Sequence, residues 1–473
     1  MPDRDGTRRH RAKPGGTIEG NRARPLRFAC AEAWAGMTQS SLLDPFFRRL
    51  CQIPVWRSTG RVTKAVGFLV ESEGPCCSVG ECCEIVGADG VLRAGEVVGF
   101  RGRTVLSMPL DRREGIRYGD RVITRGTYPT LSVGDALICR VINATGEPID
   151  SLGGFRAPDY RALHGSPPQP LDRTPIREPL GFGIRAIDGM LSCGRGQRIG
   201  IFGGSGVGKS TLVGMMARGT SADLTVLALV GERGREVREF LEGSLGEEGR
   251  KRSVVVVATS DQSPLLRLRA ALAATAISEY FAARGRHVLL VVDSLTRFGM
   301  AQREVGLAAG EPPTAKAYTP SVFSLLAKLI ERAGHFGSGS ITAFYSVLME
   351  GDDQQDPLID AVRALLDGHV VLDRRLAVRN HYPPISVLDG LSRLLDAVCT
   401  PEHLNKVQRL RQLIAAYAAS EDLIRVGAYQ KGTDPALDEA LEVMPALNRF
   451  LCQKRTELCS FEEARSQLLA LPG

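Results

Sequence analysis

Apolar and polar residues change their spacing several times along the 473-residue chain. From Thr38 to about Gly60, Leu42, Leu43, Phe46, Phe47 and Leu50 recur at helical intervals. This predicts a short amphipathic helix over 38–60 that packs on the body or docks a partner. From Arg61 to about Pro148 the pattern becomes short β-rich runs broken by glycine. Examples are Val66-Gly67-Phe68-Leu69-Val70, Glu96-Val97-Val98-Gly99-Phe100 and Gly119-Asp120-Arg121-Val122-Ile123. Such frequent turning predicts a small β-barrel over 61–150. The stretch 151–179, with Pro158, Pro167, Pro168, Pro170, Pro175 and Pro179, reads as a linker. From about Leu180 to Tyr382 apolar strands alternate with helical segments, the mark of a parallel sheet covered on both faces. Beyond Pro383 strands are expected to disappear. Leu404 to Tyr417 and Asp438 to Leu451 read as amphipathic helices around the turn Lys431-Gly432-Thr433-Asp434-Pro435, so 383–473 is expected to be a helical domain.

Composition adds limits. Hydrophobic content of 43% and charged content of 24% describe an ordinary globular protein. No apolar run approaches the ~18 residues of a membrane span, and no apolar h-region follows the charged N-terminus. A cytoplasmic location is therefore expected. Eleven cysteines in a chain without a secretion signal favour reduced thiols. The cluster Cys76, Cys77, Cys82 and Cys83 matches no usual zinc spacing, and thiols of a core or edge strand are the expected reading. The formal charge of +7 is uneven: residues 1–36 hold eight basic groups against four acidic ones. Residues 1–37 are therefore read as a disordered basic leader, and Met37 is a second candidate start.

The chemistry is concentrated in three segments. Gly203-Gly204-Ser205-Gly206-Val207-Gly208-Lys209-Ser210-Thr211 lies between the apolar run Arg198–Phe202 and the helix-like Leu212–Ala217. Strand, glycine loop and helix form the setting of a phosphate loop, in which backbone N–H groups and the helix N-terminus surround a triphosphate. Lys209 would reach the β- and γ-phosphates, and Ser210 would hold Mg²⁺. The second segment is His287-Val288-Leu289-Leu290-Val291-Val292-Asp293, an apolar strand ending in an acid. Alone, Asp293 would read as a helix cap; paired with the phosphate loop it reads as an Mg²⁺ ligand, through water. The third is Leu229-Val230-Gly231-Glu232-Arg233-Gly234-Arg235-Glu236, where a carboxylate could polarise the attacking water. In isolation, a solvated charge cluster at a helix start is the stronger reading.

Taken with Gly194–Phe202, Asp293-Ser294-Leu295-Thr296-Arg297-Phe298, Gly339–Tyr345, Glu350-Gly351-Asp352-Asp353 and Leu366-Asp367-Gly368-His369, these segments resemble the hexameric ATPases of flagellar and type III protein export. That family is related to the catalytic β subunit of rotary ATP synthases. The resemblance implies an α/β fold: a P-loop (RecA-like) nucleotide-binding core over 180–382, an N-terminal small β-barrel and a C-terminal helical domain. It implies Mg²⁺-dependent ATP hydrolysis, with Glu232 as the catalytic glutamate and Arg233 near the γ-phosphate. Tyr382 matches the aromatic that stacks on adenine, and Phe450 would close the other side of that pocket. Arg393 matches an arginine finger inserted into a neighbouring subunit's site, a contribution of typically about 10³–10⁵ in rate. One chain carrying both Glu232 and Arg393 implies a ring of identical subunits.

The resemblance also implies partners: a stator-like regulator at the N-terminal helix, a stalk protein in the pore, export substrates with their chaperones, and peripheral contact with the inner face of the bacterial membrane. Glu350 to Pro357 is a candidate pore-facing loop by the same token. Ile341–Tyr345 and Ile424–Pro435 look more like the flagellar than the virulence branch. Departures from the family pattern are the leader, the Lys316-Ala317 pair in the loop 312–318, Asp373 where serine is usual, and the doubled cysteines. An RNA-translocating ring helicase is the second class, but Phe68, Phe100, Tyr118 and Tyr128 are too dispersed for a base-stacking platform, so no specific nucleic-acid partner is expected. A non-hydrolysing ring subunit is the third, and Lys209, Glu232, Asp293 and Arg393 together argue against it.

Overall fold

The computed structural model describes residues 57–111, 114–349 and 356–473. The basic leader, the expected helix from Thr38 as far as residue 56, and Glu350 to Asp353 lie outside the described residues. Ser58–Gly60, the last part of that expected helix, instead opens a strand.

Six strands, β1 (Ser58–Val66), β2 (Leu69–Glu73), β3 (Cys82–Val86), β4 (Leu92–Arg101), β5 (Thr104–Pro109) and β6 (Arg121–Thr124), close into a barrel in the order β1-β2-β5-β4-β3-β6. Val62, Val70, Cys83, Ile85, Val97, Val105 and Val122 fill it. The run Val66–Val70, broken at Gly67, is a hairpin. Val66 pairs with Leu69, and Gly67 takes φ 59°, the left-handed conformation a tight turn needs. The four cysteines of the cluster are free thiols on and before β3.

Next come β7 (Thr130–Val133), β8 (Val141–Asn143) and β9 (Asp159–Ala162). β7 and β9 form an antiparallel ribbon, while β8 joins the edge of the main sheet. A short pair, β10 (Pro179–Leu180) and β11 (Cys193–Gly194), precedes that sheet. Its strands are β12 (Arg198–Gly203), β13 (Leu224–Glu232), β14 (Ser253–Thr259), β15 (His287–Asp293), β16 (Gly334–Phe336), β17 (Gly339–Leu348), β18 (Gly368–Leu372) and β19 (Ile385–Ser392), with β8. The order is β19-β18-β12-β17-β15-β13-β14-β8, and β16 pairs with β17. The expectation that strands end before Pro383 is corrected by β19, which pairs antiparallel with β18. Its apolar run is interrupted by Ser386, Asp389 and Gly390, so no strand pattern is legible there.

Alternation at every second residue divides this sheet between two cores. Leu224, Val226, Ala228 and Val230 of β13, with Val288, Leu290 and Val292 of β15, face the helices Pro264–Ala282, Leu295–Ala309 and Pro320–Ile330. Leu227, Leu229, Leu289 and Val291 face the opposite way, onto Lys209–Gly219 and the C-terminal helices. Those C-terminal helices, Pro401–Arg425, Pro435–Leu451 and Phe461–Leu469, are capped by Thr400, Asp434 and Ser460. They contribute Val407, Leu410, Leu413, Leu437, Val443, Leu447 and Leu468 to the second core. The parallel strands all point their carboxyl ends the same way, and Gly203, Glu232, Asp293 and Leu348 meet at that edge.

Candidate active site

β12 ends at Gly203 and the helix Lys209–Gly219 begins after Gly208, whose φ of 102° no side-chain-bearing residue adopts without strain. Val207 is buried and pins the loop to the core beneath it. Gly206 and Gly208 look onto open space, since a Cβ at either would meet nothing within 4 Å. The loop is thus a bare backbone cradle at a helix N-terminus. Ser205 and Ser210 are exposed on it, and Thr211 is half-buried.

Lys209 folds back over this cradle. Its Nζ lies 3.1 Å from Asp293 Oδ1, but makes no well-directed hydrogen bond although it is buried. A buried ammonium with unspent donors suits a phosphate oxygen. Asp293, 3% exposed, also takes the hydroxyl of Ser346 on Oδ1 at 2.5 Å. Both contacts fall on one oxygen, which leaves Oδ2 to an outer ligand. One carboxylate and one hydroxyl (Ser210) suit Mg²⁺, which keeps most of its waters and takes the rest of its shell from phosphate.

Glu232 closes β13 where the register with β14 shifts between Val230 and Glu232. Its carbonyl accepts from Ser260 N at 3.0 Å, and its carboxylate lies 3.3 Å from Arg297 Nη2. Arg297 also donates to the carbonyl of Gly231. Burial pushes the Glu232 carboxyl up to about 7, and a hydrogen bond with Glu236 and the charge of Asp293 act the same way, against the pull of Arg297 and Lys209. A carboxyl held near neutrality is tuned for general-base work.

The other expected site residues are placed less closely. Arg233 stands just before the helix Gly234–Glu239 without a side-chain capping bond; its side chain is 78% exposed and lies 3.6 Å from Glu236. Tyr382 has a half-exposed ring, and its carbonyl accepts from Gln453 N at 2.8 Å. Phe450 is 5% exposed, and a Cβ on Gly189 would lie 2.7 Å from its Cζ, so its ring belongs to the core under the C-terminal helices. Arg393 is exposed and follows Ser392, which pairs with Gly368. That is the amino end of β18, at the opposite edge of the sheet from the phosphate loop. The structure brings Lys209, Glu232 and Asp293 together and leaves Arg393 away from its own site.

Residues 62–126 match the ATP synthase alpha/beta family, beta-barrel domain, and residues 183–392 match its nucleotide-binding domain. Residues 399–470 match the T3SS EscN ATPase C-terminal domain. The flagellum-specific ATP synthase of Bacillus subtilis is 50% identical over 420 residues, covering 88% of this chain and 96% of that protein. The chain belongs to the family of flagellar and type 3 secretion ATPases. The type 3 secretion system ATPase of Xanthomonas euvesicatoria is 46% identical over 437 residues, covering 92% of this chain and 99% of the relative. Among solved structures of this ATPase family, the assembled ATPase EscN of enteropathogenic E. coli in complex with its central stalk EscO superposes with a TM-score of 0.80. It is 42% identical and covers 86% of this chain and 98% of its own.

Three more residues reach this site through space: Arg297, Ser346 and Arg374. Arg297 lies in the first turn of the helix Leu295–Ala309, four residues past Asp293, but the groups it holds, Glu232 and the carbonyl of Gly231, are far from it in sequence. Ser346 lies inside an apolar strand and carries no local signal. Arg374 donates to the carbonyl of Ser205 at 3.4 Å and lines an open cleft of about 560 Å³ beside the loop, with Val371, Leu372 and Arg375. The unusual Asp373 caps the short helix Arg374–Val378, accepting from Arg375 N at 2.7 Å.

Proposed function

We propose that this chain hydrolyses ATP in a homohexameric ring that energises flagellar type III protein export, by releasing chaperones and unfolding export substrates. The observation that carries this reading is the convergence of Lys209, Asp293 and Glu232 at one sheet edge, with Glu232 held near neutrality. In this reading the loop Gly203–Thr211 binds the phosphates through its backbone and Lys209. Mg²⁺, held by Ser210 and Asp293, would supply charge neutralisation on those phosphates. Glu232 takes the proton of the attacking water, and Arg297 orients its carboxylate. Arg233 is the nearby cation for the γ-phosphate, Tyr382 stacks on adenine, and Phe450 backs that pocket from within.

Arg393 acts in trans. Its exposure at the opposite edge of the sheet supports this, because it suits a neighbour's site better than its own. A stalk partner is supported by the assembled EscN–EscO complex. A stator-like regulator, export substrates with chaperones, and a cytoplasmic position at the inner membrane face belong to the same proposal. Among the described residues no helix is long and apolar enough to cross a membrane. The virulence-type reading stands second, on 46% identity to a type 3 secretion ATPase.

The test is hydrolysis by the purified chain across protein concentration, with size followed by light scattering. Specific activity that rises as six-fold assemblies form supports the ring. Equal specific activity in a verified monomer overturns it.

A further inference from the structure

The helix Pro264–Ala282 starts at the junction between the barrel and the catalytic sheet, and its first turns touch both. On the barrel side, the hydroxyl of its cap, Ser263, donates to the carbonyl of Leu110, just past β5. Arg269 Nη2 reaches Glu96 Oε2 of β4 at 2.7 Å, with both side chains 9% exposed. His164 Nε2 lies 3.6 Å from the other oxygen of Glu96. On the catalytic side, Ser260 N holds the carbonyl of Glu232 at 3.0 Å. A Cβ on Gly231 would lie 3.0 Å from Arg297 Cδ and 3.6 Å from Arg267 Cδ, so both arginine stems cover the backbone next to Glu232. Arg267 is fixed in turn by Glu304 at 2.6 Å.

We infer that Ser263, Arg269 and Glu96 are positioning residues for catalysis: the barrel grips the start of this helix, and that grip sets where Glu232 stands. The inference rests on the reading of Glu232 as the residue that activates water. A desolvated, hydrogen-bonded ion pair resists separation, because parting it leaves a buried charge without compensation. Barrel and helix start therefore move as one piece. Two residues separate Ser260, which holds Glu232, from Ser263, which holds the barrel. Phosphoryl transfer depends on alignment, and a displacement of about 1 Å far from the chemistry can cost about 10²-fold in rate. Loosening the grip should lower kcat and leave ATP binding at Lys209 unchanged.

The experiment uses the full chain under assembling conditions, with Ser263→Ala, Ser263→Thr, Glu96→Gln and Glu232→Gln. Steady-state hydrolysis, affinity for a fluorescent ATP analogue, light scattering and thermal unfolding are read together. Ser263→Ala is expected to lose about tenfold in kcat at unchanged KM and unchanged assembly, with Thr restoring the rate. Glu96→Gln, which keeps the shape of the side chain, is expected to lose kcat in the same way. Wild-type kcat in both folded variants, or a loss carried by KM alone, overturns the inference while an inactive Glu232→Gln leaves the reading of Glu232 standing. Undiminished hydrolysis by Glu232→Gln overturns that reading and the inference together.

Discussion

Lys209 Nζ and Asp293 Oδ1 stand 3.1 Å apart, joining the first residue of the phosphate-loop helix to the end of β15. Both groups are buried, so the pair is an ion pair whose partners depend on each other. Lys209→Ala is expected to abolish nucleotide binding and to cost about 3–5 kcal/mol of stability, because Asp293 loses its cation inside the protein. Adding Asp293→Asn should return much of the stability and none of the activity. Urea denaturation of the single and double variants checks both statements.

Ser346 supports the same carboxylate from the neighbouring strand, with its hydroxyl 2.5 Å from Asp293 Oδ1. Hydrogen bonds to charged groups contribute about 1.5–3 kcal/mol. Ser346→Ala is expected to lose stability on that scale and to need more Mg²⁺ for half-maximal hydrolysis, because Asp293 is no longer aimed. A magnesium titration of the rate measures this, and an unchanged requirement would remove Ser346 from the site.

Two raised carboxyls predict sensitivity to pH near neutrality. Glu232 is pushed up to about 7, first by burial. It carries its proton below that point and cannot accept one, so hydrolysis should fall as pH falls through about 7. Asp188 is fully enclosed, and burial raises it from 3.8 to about 7 against the hydrogen bonds it accepts from Phe182, Gly183 and Ile184. A raised carboxyl binds its proton more tightly in the folded chain than in the unfolded one. Its contribution is complete below the unfolded value and is lost as pH rises towards 7. Asp188→Asn should therefore flatten the fall in stability between about pH 4 and pH 7, as read from urea midpoints at several pH values.

Much of this site was legible because its signals are local. Gly208 and Lys209 are adjacent, and Asp293 ends an unbroken apolar strand, so spacing alone points to the chemistry. Ser346 and Arg297 reach the carboxylates through space, and no window of sequence holds both partners. The sheet was legible where strands are buried on both faces, as in β13 to β15, whose apolar runs are continuous. It failed at β19, where Asp389 and Gly390 interrupt the run. Phe450 illustrates a different limit: a motif position fixes a residue's place in the chain, but its packing on Gly189 depends on helices far apart in sequence.

The most direct test of a ring with shared sites is subunit mixing. Glu232→Gln and Arg393→Ala are each expected to be inactive alone and to assemble normally. Mixed in equal amounts under assembling conditions, they create interfaces in which an intact Glu232 meets an intact Arg393 from the next subunit. The account predicts that hydrolysis reappears in the mixture and falls when either variant is in large excess. Mixed rings that remain as inactive as their parents, with co-assembly verified, would contradict it.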